Sequence, residues 1–403
     1  MTLPSWITTL WSRISADWTK SPWFAPMLGA LIVAADFGIM AALGEFALTH
    51  MYLYYISDAV LVLAILVLLI GGMKASQQDR KPLLRLCMAA AGVLFTIVLI
   101  DEYIVIFRLD TVGPSGNFIP HAHWTNTVPI PNRDGFWERD LTPFKEAKTH
   151  RLVVAAAGNS FTWGQGLTKA DGRFTNGLEK LMKNAGLDAA VLNFAGFGGV
   201  TTGVGDRANL VRGQIAQVHP DIVLFAYTAA DIPMANFMRA ERPDIGLLRY
   251  VTFNPTVNFI AWKRYMPQIY GNFATAVNVN RILAYDDDAL LSQNLEQVRA
   301  MAAAAREIGA APIFVILPYP HFWVNVYPEV RDRILTVLCD RLNGLGLPVI
   351  DLSGLDKEFS LTEYEVNSMD SHPNSQAHAR IAKKLFEALS PLLPNAAAIA
   401  RTP

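Results

Sequence analysis

The stretch Leu152-Val153-Val154-Ala155-Ala156-Ala157, followed at once by Gly158-Asn159-Ser160-Phe161-Thr162-Trp163-Gly164, decides the fold. Six apolar residues without polar alternation read as a strand buried on both faces, as in a parallel sheet covered by helices. A small residue at the strand end lets the backbone turn sharply. That exposes the Ser160 hydroxyl at a carboxyl end, where open parallel sheets place their sites. A helix starting there favours the negative charge that develops during acyl transfer.

The same rhythm continues along the chain. Strands are expected at Ala190–Phe194, Asp221–Tyr227, Pro312–Leu317 and Leu347–Asp351. Helices are expected at Arg173–Asn184, Arg207–Val218, Leu290–Ile308, Glu329–Leu342 and Asn374–Leu389. This order predicts an α/β domain over 151–395, a doubly wound parallel sheet with helices on both faces. Residues 233–288 interrupt it with a stretch rich in Arg, Tyr, Phe, Trp and Asn, longer than ordinary connections. Two readings fit that insertion: a lid whose aromatics stack on sugars or contact acyl chains, or a helical hairpin packed on the sheet. No G-x-x-x-x-G-K-[S/T] or G-x-G-x-x-G motif follows a strand.

Upstream the composition changes. Hydrophobic residues make up 52% of the 403 and charged residues 17%, against about 25% charged in an ordinary soluble domain. The excess sits in three runs, at about 24–47, 51–73 and 86–107. Each is near the ~20 residues that cross a bilayer as a helix. Residues 1–110 are therefore expected to carry three transmembrane helices, and the Pro-punctuated stretch 111–150 to be a juxtamembrane connector. Asp36 falls near mid-membrane, where a carboxylate needs a neighbouring helix or water. Arg13 and Lys20 precede the first run, and Lys74, Arg80, Lys81 and Arg85 fill the second loop, while the first loop has no Lys or Arg. That bias puts the N-terminus and the second loop in the cytoplasm and everything after about residue 108 on the far side. The expected location is the inner (cytoplasmic) membrane, multi-pass, with the α/β domain facing the periplasm.

The charge balance, 34 Lys+Arg against 35 Asp+Glu, gives no global basic field for a nucleic acid. Cys87 and Cys339 make neither a disulfide framework nor a zinc site. No His/Cys/Glu cluster has metal-ligand spacing, so no metal or other cofactor is expected. The second motif with chemistry is Asp370-Ser371-His372-Pro373-Asn374. An Asp two residues before a His can orient its imidazole, which can take a proton from a Ser hydroxyl. Pro after the His fits the opening of the last helix. His321 follows the fourth strand, as a substrate contact or as loop packing.

Together these blocks resemble the SGNH (GDSL-type) hydrolases. Gly158 to Gly164 is similar to the family's first block, usually Gly-Asp-Ser, and Pro131-Asn132-Arg133-Asp134-Gly135-Phe136 is similar to the lead-in of bacterial members. Asn193-Phe194-Ala195-Gly196-Phe197-Gly198-Gly199 resembles the second block, whose glycine donates an N–H to the oxyanion. Gly198 matches best by spacing, with Gly196 and Gly199 as alternatives. Asp370 to Asn374 resembles the last block, which makes His378 a structural neighbour and not the base. The chain departs from the family at Asn159, usually Asp; at Thr228-Ala229-Ala230-Asp231, where Ala230 stands for the oxyanion Asn; and at the Asp-x-His spacing, usually Asp-x-x-His. The resemblance covers residues 130 to 390.

It implies a three-layer, flavodoxin-like fold and an enzyme acting on ester bonds, which the apolar runs before it would anchor to the membrane. Ser160 is then the nucleophile, His372 the base, and Asp370 orients His372. Gly198, Asn159, Asp231 and His321 are the expected oxyanion or substrate contacts. Water as acceptor makes an esterase or deacetylase, and a sugar hydroxyl makes an O-acyltransferase. The expected substrate is an acylated cell-surface or exported polysaccharide, or a lipid ester. A membrane acyltransferase or a polysaccharide-export system suits as a partner. The rival expectation is a catalytically silent domain that binds glycan or scaffolds a membrane assembly.

Overall fold

The structure, a computed structural model, describes residues 21, 23–43, 52–107, 124, 128–147, 150, 152–196, 204–232, 279, 281–323, 326–367 and 370–393. Gly198, Gly199 and most of the 233–288 insertion lie outside the described residues. Two compact units result, one of N-terminal helices and one α/β domain.

The first unit contains α1 (Phe24–Leu43), α2 (Tyr52–Gln77) and α3 (Lys81–Phe107). Two of its helices, over Tyr55–Gln77 and Lys81–Tyr103, are long and apolar enough to cross a membrane. The first run forms α1, of which only the apolar stretch Phe24–Asp36 is fully described, so the expected three spans stand as two candidates among the described residues. Asp36 accepts a hydrogen bond from Ser57 Oγ on α2 at 2.6 Å, so its carboxylate joins two helices.

The second unit is a three-layer sandwich. Its strands are β1 (Leu152–Ala157), β2 (Ala189–Asn193), β3 (Ile222–Tyr227), β4 (Ala311–Ile316) and β5 (Val349–Asp351), all parallel, in the order β2-β1-β3-β4-β5. Successive residues of a strand face opposite sides. Val153, Ala155 and Ala157 thus enter one core with Phe225 and Phe314, while Leu152, Val154 and Ala156 enter the other with Leu224 and Val315. On the first face pack Val204–Gly213, Asp288–Glu307 and Pro328–Gly344; on the second pack Phe174–Asn184 and Ser375–Leu389. This is the doubly wound arrangement whose strand order reverses beside β1 and β3, where ligand crevices form.

The lead-in to the domain covers an edge. Strand β2 ends the sheet, and an open edge is a template for unwanted pairing. Glu138 accepts from Asn193 N at 2.9 Å, Glu179 accepts from Val191 N at 2.8 Å, and Arg139 donates to Val191 O at 3.2 Å. Arg139 also holds Glu179 through both of its Nη atoms. The stretch expected as connector therefore packs in part as an element of this domain, with Trp124, Phe136 and Phe144 buried.

One local expectation is corrected. Asp370–Pro373 does not open a helix. It forms β7, antiparallel to β6 (Glu365–Asn367), and the last helix begins at Ser375 with Asn374 as its N-cap. Asn374 Oδ1 accepts from Ala377 N at 3.0 Å, leaving Pro373 in extended backbone before the cap.

Candidate active site

Strand β1 delivers Ser160 through a turn that admits no side chain at its first position. A Cβ on Gly158 would stand 2.0 Å from Thr162 Oγ1 and 3.1 Å from Ala226 Cβ. Glycine is required here by close approach. A short helix, Ser160–Trp163, follows at once, capped by Asn159, whose Oδ1 accepts from Phe161 N at 3.0 Å. The first amides of a helix have no intrahelical acceptor, so the Ser160 N–H has no partner within its own helix.

Strand β7 supplies the partner. Ser160 Oγ lies 2.7 Å from His372 Nε2, a contact between positions 212 residues apart. His372 Nδ1 hydrogen-bonds Asp370 Oδ1, which also accepts from His372 N at 3.1 Å. In extended backbone residues two apart share a face, so the Asp-x-His spacing suffices where a less extended segment would need three. Asp370 is buried, whereas the His372 side chain keeps 14% exposure. The Phe161 ring stands 4.8 Å from the imidazole and 4.7 Å from Tyr319, whose hydroxyl lies 3.3 Å from Ser371 Oγ. Burial pushes the Tyr319 phenol up from its ordinary value.

The other expected contacts are placed differently. Asn159 Nδ2 donates to Asp231 Oδ2 at 3.1 Å, so these side chains meet each other. Asp231 closes a capping box with Thr228 around the turn Ala229–Asp231, and Ala230 there packs against the sheet core. Arg207 donates to Asp231 Oδ1 at 2.9 Å. His321 lies in the turn Pro320–Trp323, and its side chain is outside the described residues. Gly196 is the last described residue of the second block; before it, Asn193 donates to Thr162 O at 2.6 Å and accepts from Ala195 N at 2.9 Å. Among the described residues no group of three His, Cys, Asp or Glu side chains is arranged to hold a metal.

Sequence reasoning passed over Arg207, Asn193 and Phe161 as site residues. Arg207 was legible only as a helix start, and nothing in its sequence neighbourhood marks a buried guanidinium.

A serine hydroxyl hydrogen-bonded to an imidazole that is itself held by a buried carboxylate can perform nucleophilic acyl transfer. The sequence profile of the GDSL-like lipase/acylhydrolase family matches residues 156–380, from β1 into the last helix. The chain belongs to this family. Its members are ester-bond hydrolases, and the matched span contains Ser160, Asp370 and His372. Among solved structures, TesA is similar at 15% identity, covering 60% of this chain and 99% of its own, with a TM-score of 0.37. A lipase from a goat rumen metagenome, Lip_vut3, also shows 15% identity over 59% and 97%, with a TM-score of 0.37. The lipase/acylhydrolase from Enterococcus faecalis shows 13% identity over 60% and 97%, with a TM-score of 0.36. Comparison with curated proteins gives no match.

Proposed function

We propose that this family member is a membrane-anchored serine esterase or O-acyltransferase with Ser160 as nucleophile. The reading is carried by the 2.7 Å contact between Ser160 Oγ and His372 Nε2. His372 takes the hydroxyl proton as Oγ bonds to the acyl carbon, and Asp370 holds the imidazole in the required tautomer. Charge on the tetrahedral oxygen is met by the Ser160 amide and by the second-block glycine amide, assigned to Gly198. The acyl C–O bond then breaks, and His372 returns the proton to the departing alcohol. Water or a sugar hydroxyl attacks the acyl-serine next, giving up its proton to His372; the bond from Oγ to the acyl carbon then breaks and His372 returns the proton to Ser160 Oγ.

The helices support the anchor. Leu31, Leu63, Leu66, Val93, Phe95 and Leu99 are exposed on the outside of the first unit, where a soluble bundle would put polar side chains. An acylated surface or exported polysaccharide is the substrate this placement favours, with a lipid ester as the second class. The silent-domain reading has one observation behind it, Ala230 in place of the oxyanion Asn. Losing one such donor typically lowers kcat about 10²–10³-fold, which slows an enzyme without removing its nucleophile.

The test is labelling of the detergent-solubilised protein with a serine-directed fluorophosphonate, beside hydrolysis of a small acetyl ester. Label and turnover that vanish in Ser160→Ala support the proposal. A wild type that takes no label and releases no acetate supports the silent domain instead. Adding an oligosaccharide acceptor then separates transfer from hydrolysis by where the acetyl group ends.

A further inference from the structure

A fully buried guanidinium needs a reason, because burying a charge is costly unless it is paired. Arg207, on the helix Val204–Gly213, is fully buried and has no task in the acyl-transfer steps. Its Nη1 donates to Ala226 O at 3.1 Å and its Nη2 to Asp231 Oδ1 at 2.9 Å. One side chain thus grips β3 near its carboxyl end and the turn that follows it. The second oxygen of Asp231 accepts from Thr228 N at 2.7 Å, Thr228 Oγ1 at 3.1 Å and Asn159 Nδ2 at 3.1 Å. Asn159 in turn caps the helix that starts at Ser160.

We infer that Arg207, Asp231 and Asn159 form a positioning relay that locks the Ser160 turn to the β3 turn and so sets where Oγ meets His372. This rests on the function proposed above. None of the three touches the reacting atoms, and each acts through the next. Misplacing a reacting group by about 1 Å can lower a rate about 10²-fold, so a relay of this kind belongs to kcat and not to KM. The amide at 159 is the link that can be altered most gently. It donates to a carboxylate, and an ionised carboxylate in its place cannot donate.

Three variants of the full-length protein test this: Asn159→Ala, Asn159→Asp and Arg207→Lys. Small acetyl ester hydrolysis is measured against pH and expressed per fluorophosphonate-labelled site, so that unfolded molecules drop out of the rate. Asn159→Ala is expected to lower kcat per site about 10- to 100-fold with KM within about twofold. Arg207→Lys keeps the charge but lacks the fork that reaches both Ala226 O and Asp231, and it is expected to do the same. Asn159→Asp is expected to lose rate at high pH and regain it as pH falls, because only the protonated acid donates to Asp231. The new acid would face Asp231, around which stand Arg207 and the phenols of Tyr227 and Tyr285, which burial holds protonated, with the His372–Asp370 pair across Ser160. Wild-type rates per site and a wild-type pH profile in Asn159→Ala and Asn159→Asp would overturn the relay. So would a loss confined to the number of labelled sites, which is what a purely structural role predicts. A wild type that neither turns over nor labels ends the hydrolase reading itself, and the relay with it.

Discussion

Asp370 shows how spacing and backbone conformation together decide a residue's role. The sequence has Asp one position later than its family usually places it, with Met369 in the usual slot. The antiparallel pairing of β6 and β7 extends residues 370–373, and extension brings the side chains of 370 and 372 to one face. The imidazole therefore finds its acceptor without rearrangement. Asp370→Asn keeps the shape but offers an amide where the Nδ1 proton must be accepted, which favours the wrong tautomer. Under the proposed roles it is expected to lower kcat about 10²–10⁴-fold while thermal stability moves little. Steady-state kinetics with a small acetyl ester, beside a melting curve, checks this; an unchanged kcat removes Asp370 from the mechanism. The motif residues were legible one by one in the sequence. Their pairing with Arg207 and Thr228 was not, because a hydrogen bond between a helix and a distant turn leaves no periodic trace.

Among the elements, the five strands were readable because each is a short, mainly apolar run bounded by turn residues, and burial on both faces leaves β1 and β3 without polar interruption. The β6–β7 hairpin was missed for the opposite reason. Its segments are three and four residues long and polar, and Pro373 looked like a helix start. The last helix carries a second histidine with a different fate. His378 is fully buried, stacks on Phe174, and accepts Phe174 N at Nδ1 at 3.1 Å. Burial, with the Arg173 charge nearby, pushes its pKa down to about 3. The unfolded chain binds a proton near pH 6.5 that the folded chain refuses. The neutral ring's contribution is therefore complete above about pH 6.5 and shrinks as pH falls toward 3, by on the order of 5 kcal/mol over the whole window. Unfolding midpoints measured from pH 7.5 to 4.5 should fall steeply in the wild type and less steeply in His378→Gln, which titrates in neither state. Parallel slopes would mean that another group carries the acid sensitivity.

At the scale of the whole molecule, sequence hydropathy located the apolar region correctly, and two of its three runs give candidate spans among the described residues. The placement of the α/β domain does not depend on that count. It depends on the α2–α3 hairpin, whose connecting segment between the spans Tyr55–Gln77 and Lys81–Tyr103 is flanked by Lys74, Arg80, Lys81 and Arg85. If those cations stay in the cytoplasm, α3 leads outward and every later residue lies across the membrane, whether or not α1 spans. The full-length protein should therefore sediment with membranes, resist high salt and alkaline carbonate, and be released by detergent. A cysteine placed at exposed Tyr327 in a Cys87→Ser, Cys339→Ser background should react with a membrane-impermeant maleimide in intact spheroplasts. One placed at Gln78, in the basic turn, should react only after lysis. Reaction of Gln78→Cys before lysis and of Tyr327→Cys only after it would invert the topology. The polysaccharide proposal would then fail even if Ser160 proved to be a working nucleophile, since substrate and active site would lie on opposite sides of the bilayer.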